Sequence, residues 1–264
     1  MQAIFSQKNW SIDEGKGSFI FDRFCEMLAF FNESQQELLI KLTEDFLWIR
    51  FTDYLNLFYR AFDEFIKEYP PSKCSKIIVA PLITQDDINK HKSSSFLHYM
   101  VSNEFDPKRY ASYETQFVDN NAKLIQKAGE CDKVCLIDDF IGAGAQAHSV
   151  VEYLETKGVS RKKIVILSLV IQSIGYDRCC NENVEVFYAY LRNRGISDNP
   201  ERCLERTELM KQIEEIVSPP FGYNFGRERT EALVRMIDTP NNTFPVFWCT
   251  KSGYFPAPFP RKQK

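Results

Sequence analysis

Apolar residues fall along this chain in two textures. In the first quarter they recur every three or four positions. Leu38, Leu39, Leu42, Phe46 and Leu47 follow a polar run, and Phe58, Phe62, Phe65 and Ile66 mark one face of a second stretch. That period predicts amphipathic helices between about Phe19 and Tyr69. "SQQE", Ser34 to Glu37, has the form of a capping box, with Ser34 as N-cap. Pro70 and Pro71 end the second stretch, because proline cannot continue a helix. The aromatic stripe reads as a packing surface rather than a cofactor contact.

Beyond the prolines the apolar residues run together. "KIIVAPLI" (Lys76 to Ile83), "KVCLID" (Lys133 to Asp138), "KIVILSLV" (Lys163 to Val170) and "VEVFYAY" (Val184 to Tyr190) are short and mostly β-branched or aromatic. They predict buried strands. Ser93 to Phe105 and Gln146 to Lys157 predict helices. In the second, Ala147, Val150, Val151 and Leu154 share a face, and Gly158 stands where a C-cap glycine belongs. Strands alternating with helices predict an α/β fold, a parallel sheet with flanking helices. Cys203 to Val217 predicts a further helix, and Ala232 to Trp248 two short strands around a Pro-Asn-Asn turn. The expected organisation is a helical N-terminal extension, residues 1–70, followed by an α/β domain, residues 71–264.

Composition narrows the function classes. The net charge is −3, so no overall basic balance argues for nucleic acid or an anionic membrane. The longest apolar stretch, Ile164 to Ile171, is far too short to span a bilayer. "MQAIFSQKNW" lacks the charged leader and apolar segment of an export signal. Eight cysteines without a CxxC pair read as reduced, mostly buried thiols, and no Cys/His cluster has zinc-ligand spacing. The expected location is cytoplasmic, without a membrane partner.

The chemistry gathers in "VCLIDDFIGAGAQAHSVVEYL", Val134 to Leu154. A buried strand delivers two adjacent carboxylates, Asp138 and Asp139, to the end of a parallel sheet, where ligands bind in such folds. Ionised carboxylates are pure acceptors, suited to the vicinal diol of a ribose or to a divalent cation through its waters. Gly142, Ala143, Gly144, Ala145 and Gln146 follow, just before a helix. Their backbone N–H groups and the positive end of the helix dipole make an anion site. Diol acceptors beside a phosphate cradle describe a site for a ribose phosphate. A dinucleotide-binding loop fits less well, since the third glycine of GxGxxG is missing.

"CLIDDFIGAGAQA", Cys135 to Ala147, resembles the signature of the phosphoribosyltransferase superfamily: a strand, two acidic residues, an apolar pair and a small-residue loop. It departs from that signature at Ala143, Ala145 and Gln146, where the family usually supplies hydroxyls. "KSSSFLHY" (Lys92 to Tyr99), "LIDDFIGAG" (Leu136 to Gly144) and "TPNNTFPVFW" (Thr239 to Trp248) are similar to motifs of the PRTase-CE group of bacterial conflict and anti-phage loci, some associated with retrons.

The resemblance implies a phosphoribosyltransferase-like sheet with a C-terminal hood, at about residues 200–264. It also implies a transferase that binds phosphoribosyl pyrophosphate (PRPP), with Mg²⁺ brought by that ligand and no metal held directly. The catalytic residues would be Asp138 and Asp139. Lys92, Ser93 and Ser94 are assigned to the pyrophosphate side, substituting for the acidic "TQDD" loop at Thr84 to Asp87, and Asn241 and Asn242 to the acceptor side. Ser93 to Ser95 equally fit a helix cap, and the two asparagines a turn. Two function classes stay open: an active transferase or glycosidase-like enzyme acting on a nucleotide or nucleic-acid base, and a catalytically inactive module that senses a nucleotide and acts through a defence-system protein or nucleic-acid partner.

Overall fold

The computed structural model describes residues 1–10, 16–87, 92–250 and 254–261. Along the chain the helices and strands are α1 (Gln2–Gln7), α2 (Lys16–Leu28), α3 (Glu33–Glu44), β1 (Leu47–Trp48), α4 (Tyr54–Glu68), β2 (Lys76–Pro81), α5 (Ser93–Glu104) and β3 (Glu114–Phe117). There follow α6 (Asn121–Lys127), β4 (Lys133–Ile141), α7 (Ala145–Thr156), β5 (Ile164–Gln172), α8 (Ser173–Asn181), β6 (Glu185–Arg192), α9 (Cys203–Val217) and β7 (Val234–Arg235). The chain divides into two compact units: a sheet unit, Arg50–Arg192, and a terminal unit built from both chain ends, Met1–Ile49 with Asn193–Lys264.

The sheet unit holds a five-stranded parallel sheet in the order β3-β2-β4-β5-β6. The central strands have no polar face. Every residue of β5 is buried, as expected of strands covered on both sides. Leu124 of α6, Val150 and Leu154 of α7 and Cys179 of α8 join Ile78, Leu136 and Ile166 in one apolar cluster. α4 packs on β5 and β6, and α5 on β2 and β4. Phe58, Phe62 and Phe65 of α4 are buried, so the aromatic stripe is core.

The terminal unit is organised around rings. Phe5, Trp10, Phe24 and Phe46 from the N-terminal segment share a core with Phe247 and Phe259. Phe46 lies 4.9 Å from Phe247 and 5.1 Å from Phe259, centroid to centroid. The two-residue strands β1 and β7 pair in parallel beside this core. Neither chain end buries its aromatic surface alone, and their association removes it from water.

Several details differ from the sequence reading. The division into compact units falls at 49/50 and 192/193 rather than at 70/71, because α4 packs on the sheet while α1 to α3 share the aromatic core. The capping box of α3 is Asn32 with Gln35, two positions before Ser34 and Glu37, so those two residues lie inside the helix. Of the two strands expected between Ala232 and Trp248, β7 forms, whereas Pro245–Phe247 turn as a short 3-10 helix led by proline. β3 and α8 were not foreseen. Among the described residues no helix is long and apolar enough to cross a membrane.

Candidate functional site

β4 carries Asp138 and Asp139 to the carboxyl end of the sheet and continues to Ile141. Its pairing with β5 sets Asp138 beside Ser168 and Ile141 beside Ile171. Both aspartates are buried, at 7% and 4% exposure. Asp138 Oδ1 accepts the backbone N–H of Asp139 at 2.9 Å, and the Tyr54 hydroxyl donates to Asp139 Oδ2 at 3.0 Å. The Ser93 hydroxyl also hydrogen-bonds Asp139.

Burial pushes Asp138 well above the ordinary carboxylate range. The neighbouring Asp139 charge adds to the push, and Lys92 opposes it. Burial also raises Asp139, against the hydrogen bonds from Ser93 and Tyr54. Two carboxylates so close and so poorly solvated resist ionising together.

The loop after β4 leads directly into α7. Gly144 is the N-cap, with a left-handed φ of +79°, and no side chain caps the helix. The first N–H groups of α7 therefore have no intrahelical acceptor and are available to an anion. Gly175 of α8 braces this loop. A Cβ there would stand 2.2 Å from the Gly142 carbonyl oxygen, so only glycine permits the approach. Ala143 is buried, and Gln146 Nε2 donates to the Leu82 carbonyl at 3.1 Å. The Gln146 amide thus ties the loop to the segment after β2.

The structure brings Lys92 and Ser93 to the aspartates, buries Ser94 on the same helix, and leaves the two asparagines in the other unit. Lys92 pairs with Asp87 of the "TQDD" loop at 2.9 Å while stabilising ionised Asp138. Ser94, at 1% exposure, has no partner for its hydroxyl among the described residues. Asn241 and Asn242 belong to the terminal unit. Asn241 O accepts the Arg227 N–H at 2.9 Å, and Asn242 O accepts the Ala232 N–H at 3.1 Å. Asn242 O also accepts the Thr230 hydroxyl at 3.0 Å. Gly226 fits against this turn because a Cβ would fall 1.9 Å from Asn242 O.

Sequence reasoning missed Tyr54, Gly175 and Gln172. Tyr54 heads the aromatic stripe of α4 at helical spacing, and its hydroxyl was the signal that this stripe touches something polar. Gln172 ends β5 fully buried, and its amide has no partner among the described residues. Among the described residues, no group of three His, Cys, Asp or Glu side chains is arranged to hold a metal ion.

Comparison with solved structures finds APRTase from Giardia lamblia complexed with 9-deazaadenine, at 18% identity over 53% of this chain and 84% of that chain, TM-score 0.36. Orotate phosphoribosyltransferase from Aeropyrum pernix matches at 14% identity over 64% and 76%, TM-score 0.31. Purine phosphoribosyltransferase from Pyrococcus horikoshii Ot3 matches at 14% identity over 56% and 86%, TM-score 0.31. A search of curated proteins finds no match. The PRTase-CE family model matches residues 13–261, nearly the whole length. With that match over the two-aspartate strand and its glycine loop, the chain belongs to the PRTase-CE family of phosphoribosyltransferase-type domains.

Proposed function

We propose that the protein binds a ribose phosphate such as PRPP, with the ribose diol on Asp138 and Asp139 and the phosphate on the backbone of Gly142 to Gln146. One observation carries this reading: two buried, adjacent carboxylates stand near the carboxyl end of the central strand, and the short loop after that strand leads into a helix N-terminus with no side-chain cap among the described residues. Hydroxyl donors of a diol satisfy acceptors that the protein itself supplies with few donors, and helix N–H groups satisfy the anion.

Two adjoining carboxylates suit a divalent cation that its ligand also holds. Asp138 and Asp139 would face that cation, and Mg²⁺ bound with PRPP would supply charge neutralisation at the pyrophosphate. The two aspartates would also offset positive charge developing on the ribose as pyrophosphate leaves. Lys92 and Ser93, at the start of α5, would contact the pyrophosphate. The acceptor would be a base nitrogen.

A second reading, a nucleotide-sensing module without turnover, is favoured by one feature. The loop lacks side-chain hydroxyls, and Gln146 is committed to Leu82. Pyrophosphate release from Mg²⁺-PRPP in the presence of candidate base acceptors separates the two. Release that disappears in Asp138→Asn supports the transferase, and tight binding without release supports the sensor. The defence role is proposed from the family resemblance of the three motifs. Loss of phage protection in a strain carrying Asp138→Asn, with the protein still folded, is the expected result.

A further inference from the structure

Two aromatic side chains lie open on the segments that hold Asp139. Phe51 is 55% exposed and Phe96 42%. Their ring centroids are 5.7 Å apart and the planes are tilted by 44°. Both sit on the elements that hold Asp139. Phe51 begins the turn Phe51–Asp53, which runs straight into Tyr54, the donor to Asp139 Oδ2. Phe96 lies three residues after Ser93 on α5, so the two share a helix face, and Ser93 is the second hydroxyl on Asp139.

The surroundings restrict what covers these rings. Arg50 precedes the first element and Lys92 the second, while Thr52 and Ser93 are exposed. Two rings bordered by cations and hydroxyls do not form the continuous apolar patch that a peptide helix or a second protein copy buries. They do match a planar heteroaromatic base attached to a phosphorylated sugar. The base stacks on the aromatic faces, and cations nearby suit the phosphate.

We propose that Phe51 and Phe96 form a stacking platform for the base of a nucleotide whose sugar lies at Asp138 and Asp139. The inference rests on the ribose reading of the aspartates and adds to it the chemical class of the group beside the ribose.

The test uses the full chain and two probes: a fluorescent aminopurine nucleoside monophosphate, whose emission is quenched on stacking, and ribose phosphate, which has no base. Phe51→Leu and Phe96→Leu keep apolar bulk and remove the aromatic face, and Phe96→Trp restores one. The expected result is quenching by the parent, affinity for the nucleotide weakened about tenfold in each leucine variant, and recovery in the tryptophan variant. Ribose phosphate affinity stays unchanged throughout.

Leucine variants that bind the nucleotide as tightly as the parent would overturn the platform. So would variants that lose both probes in step, or a parent that binds ribose phosphate but not the base more tightly. If ribose phosphate never binds while nucleotide binding depends on the two rings, the ribose reading fails and the platform stands. Absence of binding for both probes contradicts both.

Discussion

Buried carboxylates occur in both units of the molecule, and they are held in opposite ways. In the terminal unit Glu231, at 2% exposure, accepts the backbone N–H groups of Ile196 at 2.9 Å and Ser197 at 2.8 Å, with the Ser197 hydroxyl as a third donor. Glu214 accepts the Phe225 N–H at 2.7 Å and the Asn224 amide at 2.9 Å. Each of these takes at least two donors and fastens a loop, although the Glu231 charge also bears on Glu214. In the sheet unit Asp138 and Asp139 stand against each other, and their donors among the described residues include one neighbouring backbone N–H and two hydroxyls. Donors arranged around a single carboxylate build structure. Two carboxylates crowded at a strand end, with donors scarce, leave acceptor capacity for a ligand.

The largest effect that sharpens this contrast is expected at Glu231. Glu231→Ala leaves the buried Ile196 N–H and the half-buried Ser197 N–H without this acceptor and costs about 2 kcal/mol of stability, read from urea unfolding. At Glu214 burial raises the carboxyl to about 6 from an ordinary 4.5, against the Phe225 and Asn224 hydrogen bonds. The folded state therefore takes up this proton at higher pH than the unfolded state does. Stability gains up to about 2 kcal/mol as pH falls from about 7 to about 4.5, and Glu214→Gln removes that part of the slope.

Asp138 moves the balance the other way. Its ionisation is opposed by burial and by Asp139. Asp138→Asn is expected to stabilise the fold by about 1 kcal/mol, raising Tm by roughly 3 °C, while abolishing ribose-phosphate binding. A destabilised Asp138→Asn would place these aspartates in the same structural class as Glu231. The smallest effect is expected at Ser94→Ala, which removes a buried hydroxyl with no partner among the described residues and changes stability by no more than about 0.5 kcal/mol.

Much of the sheet was legible because its strands are unbroken apolar runs, and the aspartate motif was legible because two acids at the end of such a run have no packing role. β3 escaped because "ETQF" is an edge segment, half exposed and polar, without the period of a buried strand. α8 escaped because "SIGYDRCCN" carries a glycine and few apolar residues, and that glycine is there for contact with the Gly142 carbonyl.

The terminal unit escaped for a different reason. Its core joins Phe24 and Phe46 to Phe247 and Phe259 across most of the chain length, and periodicity reports only local structure. In the candidate site, the strand and loop could be read from spacing. Tyr54 could not, because its hydroxyl meets Asp139 only after α4 packs on the sheet.

The most direct test of the central claim is calorimetric titration of PRPP with Mg²⁺ into the full chain, beside the double variant Asp138→Asn, Asp139→Asn. Saturable binding by the parent and its loss in a folded double variant is the predicted result. A double variant that binds as the parent does, or a folded parent that binds no PRPP, would contradict the assignment of the ribose to the two aspartates.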